Sequence, residues 1–277
     1  MPEPDAGVLR NLRNEDVPAA FRLSAQAGWN QTEDDWRTLL DLAPEGCLAI
    51  EVDGQLAATT TVICYGQRLA WIGMILTRRD LQRRGFARRL MNAALQHVEQ
   101  MKIETVKLDA TDQGRPLYEQ YGFCVEREIE RWALAGAEKT PAASKLEAAA
   151  REDGIWREAD AKYFGGDRLR LLDRLAQRNS IWVDSDAYLF ARPGRLSSYL
   201  GPCVSENLEG ARRVIKRCLE SSSRAWIWDL FPGNGNAVAI ARDAGFTVQR
   251  HLVRMSRGRE LCENTNAIYA IAGFELG

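Results

Sequence analysis

From Leu69 to Thr77 the chain is almost unbroken in apolar residues, LAWIGMILT, a run with the length and composition of a buried strand. Polar residues then take over in RRDLQRRG. From Phe86 apolar positions return at helical spacing in FARRLMNAALQ, which predicts an amphipathic helix. VKLDAT, from Val106 to Thr111, has the pattern of a second buried strand. The segment GRPLYEQYGFCVEREIERWAL after it predicts a short helix, a helix stop at Gly122 and a final strand.

The polar block between strand and helix concentrates candidate chemistry. At Gly85 the backbone can turn sharply, so that successive N–H groups and the positive end of the following helix converge on one anion. Arg78, Arg79, Arg83, Arg84, Arg88 and Arg89 crowd the same dozen residues. Their guanidinium groups add attraction for further phosphates, which points to a large polyphosphorylated cofactor. The block has neither the Gly-Lys-Ser/Thr ending of a P-loop nor the three-glycine spacing of a dinucleotide fold. Arg88 and Arg89, inside the helix, also suit a solvated face.

Composition narrows the partners. The net charge of -1 over 277 residues makes the arginine block a local feature, with no general drive toward nucleic acid or an anionic membrane. The length suits one large or two medium domains. With no apolar leader and no run of eighteen apolar residues, a cytoplasmic protein without membrane segments is expected. Cys47, Cys64, Cys124, Cys203, Cys218 and Cys262 are scattered without a Cys-x-x-Cys pair, which favours reduced thiols. His97 and His251 are the only histidines, and no metal site is expected.

The second half repeats the first. AGFTVQRHLVRM parallels YGFCVEREIERW: Phe246 to Arg254 and Phe123 to Arg131 are both eight apart, and WIWDLF stands upstream where VKLDAT stands. The alanine-rich stretch from Ala135 predicts a linker, 136–153, between a first domain, 1–135, and a second, 154–277. The phosphate block is not repeated: Gly73 to Arg88 spans fifteen steps, Gly201 to Arg212 eleven, and Glu206 and Glu209 stand in the shortened stretch. Those carboxylates repel a pyrophosphate.

Gln82, Gly85 and Ala87 match the Gln/Arg-x-x-Gly-x-Gly/Ala loop of the GNAT superfamily of acyl-CoA-dependent N-acetyltransferases. Leu117 to Phe123 matches its Leu-Tyr-Glu-x-x-Gly-Phe segment, and from Val8 to Leu134 the chain resembles that family. The resemblance implies an α/β (α+β) architecture of two tandem GNAT-like mixed-sheet domains with flanking helices, the second degenerate and closed to coenzyme A in the family's manner. It implies that the loop of Gln82, Arg83, Arg84, Gly85, Phe86 and Ala87 holds the pyrophosphate of acetyl-CoA. It implies too that the Leu69–Thr77 strand splays from its neighbour, with Ile75, Leu76 and Thr77 along the pantetheine arm and an N–H near Ile75 facing the thioester carbonyl. Relatives often carry Asn and Ala where this chain has Thr111 and Gly114, so Thr111 is a less secure cofactor contact; the second half has Asn234 and Ala237 at those places.

By the same resemblance Tyr118 donates a proton to the leaving thiolate, unless it merely packs in its helix or Tyr121 takes the role. The strand LAWIGMILT lacks the glutamate base that many relatives carry. Asp109 has two roles open: orienting or deprotonating the substrate amine through water, or accepting hydrogen bonds from loop amides. Asp229, its counterpart, is expected to line the substrate groove. AGWNQTEDDWRTLL falls where the family covers its acceptor pocket, with Trp29 and Trp36 as flat walls and Trp29 the stronger candidate contact. Glu33, Asp34 and Asp35 either attract a cationic amine or cap a helix that Thr32 starts. The expected activity is acetyl transfer to a primary amine of a small metabolite in a ternary complex, by a monomer or homodimer whose second domain shapes the pocket. Acyl-CoA sensing without catalysis and acetylation of protein lysines are the alternatives.

Overall fold

A computed structural model describes residues 7–136, 155–261 and 263–277; from residue 137 the expected linker lies outside the described residues, as does Cys262. The chain divides into two compact units, Met1–Leu108 and Asp109–Gly277.

The first unit runs β1 (Val8–Asn11), α1 (Val17–Gln26), α2 (Glu33–Leu42), β2 (Cys47–Val52), β3 (Gln55–Tyr65), β4 (Leu69–Thr77), α3 (Phe86–Gln100) and the start of β5 (Thr105–Ala110). Its sheet has the order β1-β2-β3-β4-β5. Pairing is antiparallel up to β4, while β4 and β5 run parallel. Helix α3 forms because Phe86, Leu90, Met91, Ala94, Leu95 and Val98 recur on one face and are buried together. Phe86 and Leu90 pack with Leu48, Ile50, Val52 and Ala58 from the sheet. Each such side chain contributes about 1.5–3 kcal/mol by leaving water.

The second unit continues with α4 (Arg115–Glu119), β6 (Cys124–Leu134), α5 (Ile155–Phe164), α6 (Leu169–Arg178), β7 (Ser180–Asp184), β8 (Ala187–Arg192), β9 (Ser198–Ser205), α7 (Leu208–Glu220), β10 (Trp226–Leu230), α8 (Gly235–Asp243), β11 (Thr247–Gly258) and β12 (Ile268–Ala270). The order here is β11-β6-β10-β9-β8-β7, with β12 on β9. The α/β architecture of mixed sheets with flanking helices expected from the sequence is what the chain adopts.

The compact units do not follow the sequence repeat. Strand β6, the last element of the first copy, lies between β11 and β10, with Trp132 opposite Val248 on one side and Trp228 on the other. Its backbone hydrogen bonds, and with them the packing of Trp132 beside Trp226, Trp228 and Phe246, belong to the second unit. Repeats are set by ancestry in the sequence, compact units by which strands pair, and here the two differ by the end of β5, α4 and β6.

Cutting the chain at residue 135 therefore takes β6, the strand between β11 and β10, out of the second unit. The fragment 155–277 alone is expected to lose its cooperative thermal transition and regain it when 1–135 is co-expressed. A fragment that melts as sharply and as high as the intact chain, followed by circular dichroism, would contradict the placement of β6.

Candidate functional site

In β4 the strand is broken by a bulge. Met74 has φ +51, and the register against β3 shifts between Thr59 and Thr61. Thr59 Oγ1 donates to the Met74 carbonyl at 2.9 Å and Thr60 Oγ1 to that of Gly73 at 3.1 Å, so two hydroxyls hold the irregular backbone in place. On the other side the ladder to β5 consists of Leu69, Ala70 and Trp71 opposite Thr105, Val106 and Lys107. Ile75, Leu76 and Thr77 lie beyond the last of these pairs. Leu76 is buried, while Ile75 and Thr77 are half-buried.

The loop after β4 has the form of an anion cradle. Arg83 at φ +63 and Gly85 at φ +83 are both left-handed, a backbone pattern that turns neighbouring N–H groups toward one side. Gly85 is the N-cap of α3, and no side chain caps the helix there. A Cβ built on Gly85 would meet nothing within 4 Å, so the space in front of the turn is open. Gln82 reaches back to the Thr77 carbonyl at 3.4 Å. The Phe86 side chain is buried in the core, which leaves its backbone as the part that faces the loop.

The six arginines divide by partner. Arg78 forks onto Asp80 at 2.8 and 3.0 Å and reaches Gln55 at 3.1 Å. Arg79 holds the Gln26 carbonyl at 2.6 Å and Arg89 that of Gly7 at 2.9 Å. Arg83, Arg84 and Arg88 are exposed. Arg79 and Arg89 thus tie the loop and its helix to neighbouring backbone, and Arg78 ties it to side chains.

Around α1 and α2, Thr32 and Asp35 form a reciprocal capping box, and Arg37 pairs with Glu33 at 2.7 Å and Asp34 at 3.2 Å. All three acids serve the helix start. Trp36 is fully buried and donates to Ser24 Oγ at 3.2 Å, so it is a core residue and not a pocket wall. Trp29, after the left-handed Gly28, is half-buried, with its N–H on the Ser24 carbonyl at 2.9 Å.

The second unit holds Asp109, Thr111, Tyr118 and Asp229. The Asp109 side chain is fully buried in a two-point bridge to Arg254, at 2.9 and 3.1 Å. Burial pushes its carboxyl up to about 6, against the pull of that guanidinium. Asp229 is equally buried and bridged to Arg131 at 2.7 and 2.6 Å, with Tyr199 Oη donating at 3.0 Å. These positions correct two sequence expectations: the Asp109 carboxylate is committed to an arginine and has no exposed face from which to take a proton, and Asp229 is sealed from a substrate groove. The signal was present in the repeat, whose matched Phe-to-Arg spacing marks Arg131 and Arg254; each bridges the aspartate of the other copy.

Tyr118 presents a half-buried ring but turns its hydroxyl inward. A Cβ at Gly114 would stand 3.0 Å from Tyr118 Cε2 and 3.4 Å from Oη, so the glycine makes room for the phenol. Thr111 Oγ1 accepts from Gly114 N at 3.1 Å and fixes the turn beneath it. Burial pushes the phenol up to about 12.

At the second copy's counterpart of the cradle the helix start is capped by a side chain. Asn207 caps α7 by accepting from Gly210 N at 2.8 Å, and Glu209 sits in the first turn. Among the described residues no group of three or more His, Cys, Asp or Glu could hold a metal ion, and no helix is long and apolar enough to cross a membrane.

The acetyltransferase (GNAT) family profile matches residues 9–123, and a GNAT acetyltransferase domain profile matches 157–270. The uncharacterized N-acetyltransferase YitH of Bacillus subtilis (strain 168) is 30% identical over 226 residues, covering 76% of this chain and 77% of its own length. A crystal structure from Pyrococcus horikoshii, provisionally assigned as an acetyltransferase, superposes with a TM-score of 0.87 at 19% identity, over 100% of this chain and 98% of that one. A GCN5-related N-acetyltransferase from Sphaerobacter thermophilus gives 0.65 at 16% identity, over 95% and 99%.

Removing one member of a buried ion pair strands the other, at a cost of about 3–5 kcal/mol. Arg254→Met is expected to destabilise by at least that amount, because Arg254 also lies 3.7 Å from the buried Glu263 carboxylate, and the Asp109→Asn, Arg254→Met double variant to recover only the part due to Asp109, in urea unfolding. The folded value of Asp109 lies above its ordinary 3.8. Its titration therefore favours the folded state below about pH 4 and loses that contribution as pH rises through about 6. The difference in stability between wild type and Asp109→Asn should change over that window and be flat above it.

Proposed function

Because the chain belongs to the GNAT acetyltransferase family and carries two GNAT domains in tandem, we propose that it is an acetyl-CoA-dependent N-acetyltransferase whose first copy binds the cofactor and acetylates a primary amine of a small metabolite. The observation that carries this reading is the contrast between the two helix starts. Before α3, Arg83 and Gly85 turn the backbone of an uncapped helix toward open space; before α7, Asn207 and Glu209 fill the same position in the repeat. The first fits a pyrophosphate and the second repels one.

When bound, acetyl-CoA supplies the activated acyl group. Amides of Gly85, Phe86 and Ala87 would hold its pyrophosphate, with Gln82, Arg83 and Arg84 beside them, and the bulged end of β4 at Ile75, Leu76 and Thr77 would accept the arm. Thr111 stands at the far end of β5. Tyr118 Oη keeps its proton at neutral pH. Giving that proton up outright to a thiolate of ordinary pKa near 8.5 is uphill by on the order of 5 kcal/mol. The phenol would therefore serve as a hydrogen-bond donor to the sulfur of a bound thioester, stabilising charge that develops there. Trp29 remains the proposed acceptor contact.

A second reading, acyl-CoA binding without transfer, is favoured by one observation: Asp109, the carboxylate that stood as the candidate base, is locked to Arg254. The two readings separate in one experiment. Calorimetry with acetyl-CoA should give one site per chain, and a panel of small amines should elicit free coenzyme A; binding with no amine-dependent release would favour the sensor.

Gly85→Glu is expected to abolish acetyl-CoA binding by placing a negative charge in the cradle, and unchanged affinity would overturn the loop assignment. Tyr118→Phe should lower kcat at least tenfold with little change in acetyl-CoA affinity. Since the phenol holds its proton to about 12, the alkaline limb of the wild-type rate profile below pH 11 should persist in that variant.

A further inference from the structure

The parallel strands β9 and β10 begin as β4 and β5 do. Ser198, Tyr199 and Leu200 pair with Trp226, Ile227 and Trp228, and the ladder stops. Beyond that point the two strand pairs differ. Strand β12 enters alongside β9, with Ile268 opposite Val204 and Ala270 opposite Cys203, and Ser205 N donates to the Ala267 carbonyl at 2.9 Å. On its other side Ile271 N donates to the Asp229 carbonyl of β10 at 3.0 Å. One segment of chain is hydrogen-bonded to both walls of the cleft.

Side chains lining the cleft hold the same segment. Asn234 Nδ2 lies 3.1, 3.2 and 3.1 Å from the carbonyls of Thr265, Asn266 and Ile268. Trp228 Nε1 donates to the Tyr269 carbonyl at 2.8 Å, and Tyr199 Oη lies 3.2 Å from that of Ile271. In β9, a Cβ on Gly201 would stand 2.1 Å from the Ile271 carbonyl, so the absence of a side chain there admits the segment. Further along, Glu275 is buried and paired with Arg192 at 3.3 Å, and the Arg131 guanidinium lies 4.4 Å over the Phe274 ring. Ile268, Tyr269, Ala270, Ile271 and Ala272 are all buried.

We propose that the cleft between β9 and β10 is a peptide-strand binding site, and that its resident ligand is the chain's own Ala267–Gly277 segment, held where an active copy would take the pantetheine arm. The backbone amides of β12 satisfy the splayed strands as an added strand does. Asn234, which stands where relatives often carry an asparagine, is spent on the carbonyls of Ile268 in this segment and of Thr265 and Asn266 just before it. The inference rests on reading the first copy as the acyl-CoA-binding one. It makes the second copy closed by occupation as well as by its shortened loop.

Amide hydrogen exchange on the full chain, with and without acetyl-CoA, tests it. Ile268, Ala270 and Ile271 should be protected as strongly as β9 and β10 in both conditions. Exchange at loop rates, or deprotection on adding acetyl-CoA, would overturn the proposal. Failure of acetyl-CoA to protect Arg83 to Arg88 would instead count against the function proposed for the first copy. Asn234→Ala should raise exchange at 265–271 at least tenfold and leave Arg83 to Arg88 unaltered. If that variant does not fold, Ala270→Cys provides a second route: oxidation should cross-link it to Cys203 with acetyl-CoA affinity unchanged. Absence of the cross-link, or binding lost in proportion to it, would sink the idea.

Discussion

Two buried arginine–aspartate bridges are the constraint on which the second unit depends. Asp109 and Asp229 have no access to water. A carboxylate in that setting is tolerated only with a cation at hydrogen-bonding distance and its remaining lone pairs occupied. Arg254 and Arg131 meet the requirement from neighbouring strands, and each stacks on a ring, Phe231 at 4.9 Å and Phe274 at 4.4 Å. Fixing those two forks fixes the register of β6 and β11, because a slip of one residue would turn each arginine to the opposite face.

The same economy of partners separates the two copies. A helix start must have its first N–H groups satisfied by something. In α7 Asn207 does so, and in α8 Asn234 does so by accepting from Ala237 N at 3.1 Å. In α3 the cap is a glycine with no side chain to offer. One short side chain at the cap decides whether a turn built on the same plan presents open amides or closed ones.

Local features were legible in the sequence, and pairings between distant residues were not. The strand, turn and helix of residues 69–100, the capping box of Thr32 and Asp35, and the helix stop at Gly122 follow from periodicity and from turn chemistry within a few residues. The repeat was visible as matched spacing. What spacing cannot convey is which strand an aspartate meets, so Asp109 and Asp229 read as candidate chemistry when each had a partner more than ninety residues away. Trp36 read as a pocket wall for the same reason: a tryptophan at the base of a helix looks alike whether it faces a ligand or Ser24. The β12 segment left no signal at all, being three residues long and bonded to a strand far upstream.

Because each bridge joins one copy's aspartate to the other copy's arginine, the two halves ceased to be interchangeable modules once the duplication was in place. Neither half can be exchanged for a homologous domain, or lost, without stranding charge in the interior of what remains. The copies differ instead at the ends of the strands, in a shortened turn and in the β12 segment, while the paired strands between them are kept. The duplication in this sense became a commitment, each half carrying the other's counter-charge.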